Sequence, residues 1–205
     1  MNTPEVVVFD LGKVLVDFDY SIAARRIAAH STMPPADVRH FIDHSPLLIR
    51  YETGLMTREE FFDEIRAVAG FPGDIEEFSQ FFADIFSPME EMIDLHARLR
   101  QQGVPTFIFS NTNDLAIAHI RRNFPFFANF DEYVLSYEHG AMKPSAKLYE
   151  VVERVTNRKQ AEILYLDDRV ENAEAGVARG WQVIQHQDAS ASIARVEELG
   201  LLRKK

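Results

Sequence analysis

The sequence predicts an α/β fold in which a doubly wound parallel sheet carries an inserted bundle of helices. Short apolar runs recur along the chain and are continuous rather than alternating, as expected of strands that helices cover on both faces. Stretches with helical spacing of apolar residues separate most of these runs, which is the pattern of βαβ units. The stretch after the first run is far longer than one crossover needs, and this length predicts the insertion.

The candidate strands are the apolar runs Val6 to Phe9, Thr106 to Phe109, Tyr133 to Leu135, Ile163 to Leu166 and Gln182 to Ile184. Ser87-Pro88-Met89-Glu90 has the pattern of a helix N-cap, a proline in the first turn and a capping-box glutamate. Gly103 and Gly180 follow helical patterns and predict where those helices end. A last helix is predicted from Ala189 to Leu199, ahead of a solvated tail, Arg203-Lys204-Lys205.

The insertion is almost entirely helical in pattern. Its predicted helices are Ser21 to His30, Pro35 to His44, Thr57 to Ala69 and Asp74 to Phe86. The third begins with a capping box, Thr57-Arg58-Glu59-Glu60, and continues with an apolar stripe of Phe61, Phe62, Ile65 and Val68. We therefore predict a core of residues 1–16 and 95–205 and a cap of residues 17–94 that closes over the sheet edge. The alternative is that these helices only enlarge the hydrophobic core and do not cover the site.

Composition limits the function further. The 205 residues are 46% hydrophobic, enough for one domain with an insertion, and contain no cysteine, which excludes disulfides and thiolate chemistry. The net charge of −10 argues against nucleic acid as a partner. Membrane association is not expected, because no apolar run approaches the ~20 residues of a span. The N-terminus lacks the pattern of a signal peptide, so we expect a cytoplasmic protein.

Polar residues follow the predicted strands where those strands end. Asp10 follows the first, Ser110 and Asn111 the second, and Asp167-Asp168 the run at Ile163, while Lys143 lies in a loop between Gly140 and Pro144. Because ligands bind at the carboxyl edge of an open parallel sheet, we expect these groups to converge. Carboxylates, a hydroxyl and an ammonium are what phosphate chemistry on a divalent cation needs.

Each of these residues also has a simpler interpretation. Asp10 is compatible with a turn, Ser110 with a helix N-cap, and Lys143 with a solvated loop side chain. Asp168 could cap the following helix, leaving Asp167 exposed. The adjacent carboxylates repel each other unless a cation lies beside them, which favours metal binding.

Four segments resemble the ordered motifs of the haloacid dehalogenase superfamily. They are Phe-Asp-Leu-Gly-Lys-Val-Leu around Asp10, Phe-Ser-Asn-Thr around Ser110, Ser136 to Pro144, and Leu-Asp-Asp-Arg-Val-Glu-Asn from Leu166. The resemblance covers essentially the whole chain and implies a Rossmann-like core with a C1-type helical cap. The chain is most similar to small sugar-phosphate phosphatases such as the α-D-glucose-1-phosphatase group.

The resemblance implies a role for each matching residue. Asp10 would be the nucleophile, forming an aspartyl-phosphate that water hydrolyses. Mg²⁺ would be bound by Asp10, the Gly12 carbonyl and Asp168, with Asp167 as a further direct or water-mediated ligand. Ser110 and the Asn111 backbone N–H would bind the phosphate, Lys143 would neutralise the phosphate and Asp10, and Asn172 would orient the acidic pair.

Gly12 departs from the pattern, because many phosphatases of this superfamily have there an aspartate that acts as general acid and base. Three explanations stay open. A sugar-1-phosphate has an acidic leaving group that needs less help; another side chain substitutes, namely Asp17, Asp19 or His139; or catalysis has been lost and the chain only binds a phosphorylated ligand. Lys13 is also unusual and is expected to point into solvent.

The leading prediction is a Mg²⁺-dependent phosphatase for a small phosphorylated metabolite, most consistent with a sugar phosphate. A metal-independent 2-haloacid dehalogenase, a phosphomutase and a phosphate-binding protein are the alternatives. Specificity is predicted to reside in a cap loop, Tyr51 to Met56, where Glu52 would bind substrate hydroxyls. Arg50 or Arg58 could reach a second anionic group, although each is more simply a surface charge. The choice between monomer and homodimer stays open.

Overall fold

The structure is a computed structural model that describes residues 3–202, without the side chains of residues 43 and 44. The predicted tail Arg203-Lys204-Lys205 lies outside the described residues. The strands are β1 (Val6–Phe9), β2 (Val16–Phe18), β3 (Phe86–Pro88), β4 (Thr106–Ser110), β5 (Glu132–Leu135), β6 (Ile163–Asp167) and β7 (Gln182–Gln185). The helices are α1 (Tyr20–Ala29), α2 (Pro35–His44), α3 (Pro46–Glu52), α4 (Arg58–Ala69), α5 (Ile75–Ala83), α6 (Glu90–Gln101), α7 (Asp114–Asn123), α8 (Ser136–His139), α9 (Ala146–Thr156), α10 (Val170–Ala178) and α11 (Ala189–Glu198).

The predicted parallel sheet is confirmed. In the described part of the chain its strands lie in the order β5-β4-β1-β6-β7, and every neighbouring pair is parallel. The chain passes from β1 to β4 and β5 on one side and later returns to β6 and β7 on the other. Strand order therefore reverses next to β1, and a ligand crevice is expected at the carboxyl ends of the strands at such a point.

Helices cover both faces of the sheet, as the continuous apolar runs predict. Val7 and Phe9 of β1 pack into one buried cluster with residues of α6 and α11, and Val6 and Val8 pack into another with residues of α9. All four side chains are at most 2% exposed. Side chains alternate between the two faces of a strand, so each face needs its own apolar residues.

The inserted helices form a separate apolar cluster that is rich in aromatic rings. Phe61 of α4 packs on Tyr51 of α3 and on Phe82 of α5, with ring centroids 4.4 and 5.0 Å apart. The predicted capping box is present, since Thr57 accepts from the Glu60 N–H and Glu60 accepts from the Thr57 N–H. Val68, predicted to belong to the apolar stripe, is 40% exposed.

Residues before α6 differ from the prediction. Ser87 and Pro88 lie in β3, which pairs with β2 in a small antiparallel sheet, and Met89 is the N-cap residue without a side-chain hydrogen bond. The Met89 N–H donates to Leu15 O, so strand pairing takes the place of the predicted cap. The predicted boundary between cap and core, at residues 94 and 95, falls inside α6. Because α6 is continuous and its Met92 packs in the core cluster, we propose that this boundary lies before α6.

Within residues 3–202, the helices are all too short or too polar to cross a membrane.

Candidate active site

The reversal of strand order brings the predicted residues together at the carboxyl edge of the sheet. Asp10 directly follows β1, and its N–H donates to Leu166 O at 2.8 Å, which continues the pairing with β6. Ser110 ends β4 on one side of β1, and Asp167 ends β6 on the other. Asp10, Ser110 and Asp167 are 7%, 3% and 0% exposed, so the edge holds buried polar groups that need partners.

Lys143 supplies the central partner and is buried rather than solvated, with its side chain 1% exposed. Its Nζ lies 3.0 Å from Asp10 Oδ1 and donates to Asp167 Oδ2 at 2.7 Å and to Phe109 O at 2.9 Å. Asn111 positions the residue, because its Oδ1 accepts from the Lys143 N–H and its Nδ2 donates to Lys143 O. The Lys143–Pro144 peptide bond is cis.

The shared ammonium group decides how these residues ionise. Burial alone would lower the pKa of Lys143, but the carboxylates of Asp10 and Asp167 raise it above its usual value. Burial likewise acts to raise the pKa of Asp167, but Lys143 and the Tyr165 hydroxyl lower it. Burial raises the pKa of Asp10 to about 7, with Lys143 opposing and Asp167 adding to the shift. Lys143 and Asp167 are therefore a fixed ion pair beside Asp10.

Asp167 is held by more partners than the sequence indicates. Its Oδ1 accepts from the Arg169 N–H at 2.9 Å and from Asn172 Nδ2 at 3.1 Å. Its Oδ2 accepts from Lys143 and from the hydroxyl of Tyr165. Asn172 thus contacts Asp167, and its role in orienting the acidic pair stays a prediction. Tyr165 was missed, although its position two residues earlier on the same strand places both side chains on one face.

Asp168 completes a cluster of three carboxylates. Asp10, Asp167 and Asp168 each offer an oxygen within 4.8 Å of the others. Asp168 is half-buried, and burial together with the charge of Asp167 raises its pKa. It does not cap α10, whose N-cap is Arg169 and lacks a side-chain hydrogen bond. Convergent carboxylate oxygens of this kind are the donor set of a hard divalent cation.

Ser110 is not a helix cap either. The N-cap of α7 is Asn113, whose side chain accepts from the Ala116 N–H at 2.9 Å. The Ser110 hydroxyl has a weak contact of 3.4 Å with Asn111 O. Ser110 and Asn111 both line the pocket that contains Asp10, so the hydroxyl can turn towards a ligand there.

Gly12 lies against an aromatic ring. A Cβ on this residue would lie 2.8 Å from Cε1 of Phe18, closer than an ordinary contact. Two of the three predicted substitutes have other partners: Asp17 binds Lys13, and Asp19 accepts from the N–H and hydroxyl of Ser21 as the N-cap of α1. These hydrogen bonds lower the pKa of both aspartates. Lys13, predicted to be solvated, is half-exposed and lies over the Phe18 ring.

The pocket above the carboxylates has a volume of about 220 Å³ and is lined by both the core and the insertion. Among the predicted site residues it contains Asp10, Gly12, Glu52, Ser110, Asn111, Lys143, Asp168 and Asn172. Asp17, Asp19, His139 and Arg50 are not among its described lining residues. The structure therefore brings the cap residue Glu52 to the same cavity as the residues at the strand ends.

Two expectations about the cap need correction. Tyr51 and Glu52 do not lie in a loop, because they form the last turn of α3, a helix that the sequence did not predict. Arg58 binds Asp114 at the start of α7, from Nε at 2.9 Å and Nη2 at 2.5 Å, and the Tyr51 hydroxyl donates to the same carboxylate. Arg58 therefore joins the cap to the core. Arg50 is exposed.

Comparison with known proteins agrees with this geometry. The profile of one family, haloacid dehalogenase-like hydrolase, matches residues 4–180. A D-ribitol-5-phosphate phosphatase from Bacteroides thetaiotaomicron is 23% identical over 90% of this chain and 92% of its own length. A sesquiterpene phosphatase from Aspergillus oryzae is 24% identical over 73% of this chain and 77% of its own length.

Solved structures show the same fold. An HAD family enzyme of Bacteroides thetaiotaomicron, in complex with magnesium and inorganic phosphate, has a TM-score of 0.79 at 21% identity and covers 90% of this chain and 94% of its own. A HAD-like family hydrolase of Porphyromonas gingivalis has a TM-score of 0.81 at 23% identity, covering 95% and 98%. The L-2-haloacid dehalogenase of Xanthobacter autotrophicus has a TM-score of 0.64 at 18% identity, covering 98% and 90%.

Proposed function

The chain belongs to the haloacid dehalogenase-like hydrolase family, and on that premise we propose that it is a Mg²⁺-dependent phosphatase of a small phosphorylated metabolite. The observation that carries the proposal is the meeting of three carboxylates and a buried lysine at the sheet edge. The named phosphatase relatives support it. A sugar or polyol phosphate is the expected substrate class, and membership of the α-D-glucose-1-phosphatase group stays a prediction, as do cytoplasmic location and oligomeric state.

In this proposal Asp10 is the nucleophile. A carboxylate oxygen attacks phosphorus, the bond from phosphorus to the leaving oxygen breaks, and an aspartyl-phosphate forms. Water then attacks the same phosphorus and restores the carboxylate. The Leu11 N–H donates to Asp10 Oδ1 at 2.6 Å and Lys143 lies 3.0 Å from it, so this side chain is fixed before substrate binds.

The residues present fit the predicted magnesium ion. Asp10, Asp168 and the Gly12 carbonyl would hold it, and when bound it would offset the repulsion between the carboxylate and the phosphate dianion. Asp167 is better suited to position Lys143 than to bind metal directly, because both of its oxygens already accept hydrogen bonds. Lys143 would also neutralise the phosphate, and Ser110 and Asn111 would donate to its oxygens.

A 2-haloacid dehalogenase is the second candidate, because such enzymes share this fold with the chain. The carboxylate cluster favours the phosphatase, because Lys143 supplies one positive charge for three convergent carboxylates and a bound metal ion would offset the negative charge that remains. The third candidate is a protein that only binds phosphorylated ligands. It remains a candidate because residue 12 is a glycine and supplies no general acid or base.

One experiment separates the three. Phosphate release is measured from sugar phosphates, polyol phosphates and p-nitrophenyl phosphate, with Mg²⁺ and with EDTA, alongside chloride release from L-2-chloropropionate. We expect phosphate release that requires Mg²⁺ and is abolished in Asp10→Asn, while the melting temperature of that variant stays close to wild type. Chloride release without metal would establish the dehalogenase. Neither activity, in folded protein that binds inorganic phosphate, would establish the binding protein.

A further inference from the structure

We propose that Glu52 of the cap is the general acid and base of the reaction, the role for which residue 12 carries no side chain. The inference rests on the proposed phosphatase function and adds a catalytic residue to it. The pocket lies between the sheet edge, which supplies Asp10, and the insertion, which supplies Glu52, Leu48 and Tyr20. In-line displacement puts the leaving oxygen on the side of phosphorus away from Asp10, where a proton donor is needed.

Residue 12 cannot supply the donor in this arrangement. The ring of Phe18 fills the space that a Cβ would need, and it packs against Tyr20 and Phe86 with centroids 5.6 and 6.1 Å away. Among the carboxylates of the described pocket, Asp10 and Asp168 are the proposed nucleophile and metal ligand. Glu52 is the remaining carboxylate among the described pocket residues, and we therefore assign the proton transfer to it.

The core fixes the position of Glu52 although the residue belongs to the cap. The Ser136 hydroxyl donates to Glu52 O at 2.6 Å and also accepts from the Thr112 N–H at 2.9 Å, two residues after Ser110. The turn after Glu52 lies directly on the core, since a Cβ on Gly54 would be 2.1 Å from Tyr137 O. These contacts fix the backbone at Glu52, from which its side chain lines the pocket that contains Asp10.

The surroundings of Glu52 suit a group that both gives and takes a proton near neutral pH. Burial raises its pKa to about 7, while the Tyr20 hydroxyl, the Asn113 side chain and the charge of Arg169 act in the opposite direction. The buried Asn113 Nδ2 has no hydrogen bond of normal geometry within residues 3–202, so its contact with Glu52 is a loose one. The other charged groups of the pocket are Asp10, Asp168, Lys13 and Lys143.

The proton and bonds balance over two steps. As Asp10 attacks phosphorus, the bond to the leaving oxygen breaks, and the protonated Glu52 transfers its proton to that oxygen to give the free alcohol. The Glu52 carboxylate then removes a proton from water as the water attacks the aspartyl-phosphate. The bond from phosphorus to Asp10 breaks, inorganic phosphate leaves, and Glu52 is protonated again.

The test compares Glu52→Gln with wild type on an alkyl and an aryl ester. The alkyl ester is the fastest polyol or sugar phosphate of the panel, and the aryl ester is p-nitrophenyl phosphate, whose leaving group departs without a proton. We expect kcat/KM for the alkyl ester to fall by roughly 10²–10³-fold and kcat/KM for the aryl ester by less than about tenfold. We also expect a burst of nitrophenolate, because the second step still needs the base.

The pH profile adds a second readout. For the alkyl ester, wild-type kcat/KM should fall as pH rises through about 7, because Glu52 loses its proton, and this descending limb should be absent in Glu52→Gln. Glu64→Gln, an exposed glutamate of α4, is the matched control and should behave as wild type.

The inference is overturned if Glu52→Gln lowers kcat/KM equally for both esters, with no burst and an unchanged pH profile, or if it has no effect. Binding of inorganic phosphate with Mg²⁺ and the melting temperature show that the variant is folded. Failure of the proposed function would be seen separately, as absence of any ester hydrolysis by the wild-type protein.

Discussion

The sheet edge and the cap both contribute polar side chains to one pocket, but they hold them in different ways. At the sheet edge, Asp10, Lys143 and Asp167 are buried and bound to one another. In the cap, Glu52 is half-buried and reaches the pocket through contacts of α3 with the core. The core site is thus formed by the fold of one sheet, whereas the cap site depends on how two packed units are joined.

This difference predicts where function and stability are coupled. Removing Lys143 leaves two buried carboxylates without their cation, which costs both stability and activity, whereas in Asp10→Asn the ammonium keeps Asp167 as its partner. Removing a contact between cap and core changes the position of a side chain over the pocket, so its main effect should be on kinetics. The three variants below test this contrast, in order of decreasing expected effect on phosphate release.

Lys143→Met should have the largest effect. It leaves the carboxylates of Asp10 and Asp167 buried without their ammonium partner, and the free energy of unfolding should fall by about 3–5 kcal/mol. Phosphate release should fall by at least ~100-fold. Urea unfolding in EDTA and steady-state kinetics measure the two effects. The control is Lys147→Met, which changes an exposed lysine nearby and should alter neither. A stable Lys143→Met protein would show that the buried pair does not couple the two properties.

Asp114→Asn should separate kinetics from stability. It removes the charge that binds Arg58 and the acceptor oxygen of Tyr51, both from the cap. Arg58 and Asp114 are about one-third exposed, and the new amide oxygen can still accept from Tyr51, so the unfolding free energy should fall by only about 1 kcal/mol. Tyr51 directly precedes Glu52, so loss of its charged partner should also shift Glu52 over the pocket. We therefore expect kcat/KM, measured at fixed Mg²⁺, to fall by roughly tenfold. Asp63→Asn breaks an exposed pair with Arg66 within α4 and is the control. Wild-type kinetics in Asp114→Asn would mean that the contact does not position the cap.

The smallest effect on phosphate release is expected at two histidine–phenylalanine stacks, which are not among the described lining residues of the pocket. His96 in the core is 2% exposed and stacks on Phe130 at 3.9 Å, whereas His30 in the cap is exposed and stacks on Phe81 at 5.3 Å. Burial lowers the pKa of His96 to about 4, below the 6.5 of an unfolded chain. Its contribution to stability is therefore complete above pH 6.5 and is lost as pH falls towards 4.

Replacing His96 by Gln should reduce this acid sensitivity. Over that pH range the wild-type protein should lose on the order of 3 kcal/mol more than His96→Gln, measured by urea unfolding. His30→Gln, in the exposed stack of the cap, is the control for replacing a stacked histidine. Equal pH slopes in wild type and His96→Gln would show that the buried ring does not have the lowered pKa.

Part of the fold could be predicted because strand and helix patterns are local. The apolar runs at Val6, Thr106 and Ile163 predicted strands that the structure extends by at most one residue. The capping box at Thr57 was correctly predicted for the same reason. By contrast, Ser87 and Pro88 match a helix start, and only their pairing with β2, far away in sequence, makes them a strand. Local pattern cannot reveal such a partner.

The candidate site divides in the same way. The parallel sheet and the polar residues at the ends of β1, β4 and β6 could be predicted from the sequence alone, because strand ends are local features and a parallel sheet aligns them. The tertiary structure decided that Tyr165 binds Asp167, that Phe18 fills the space beside Gly12, and that Ser136 fixes Glu52 over the pocket. The contacts of Phe18 with Gly12 and of Ser136 with Glu52 join the core to the insertion. They depend on how these two units pack, and the periodicity of apolar residues along the chain does not specify that packing.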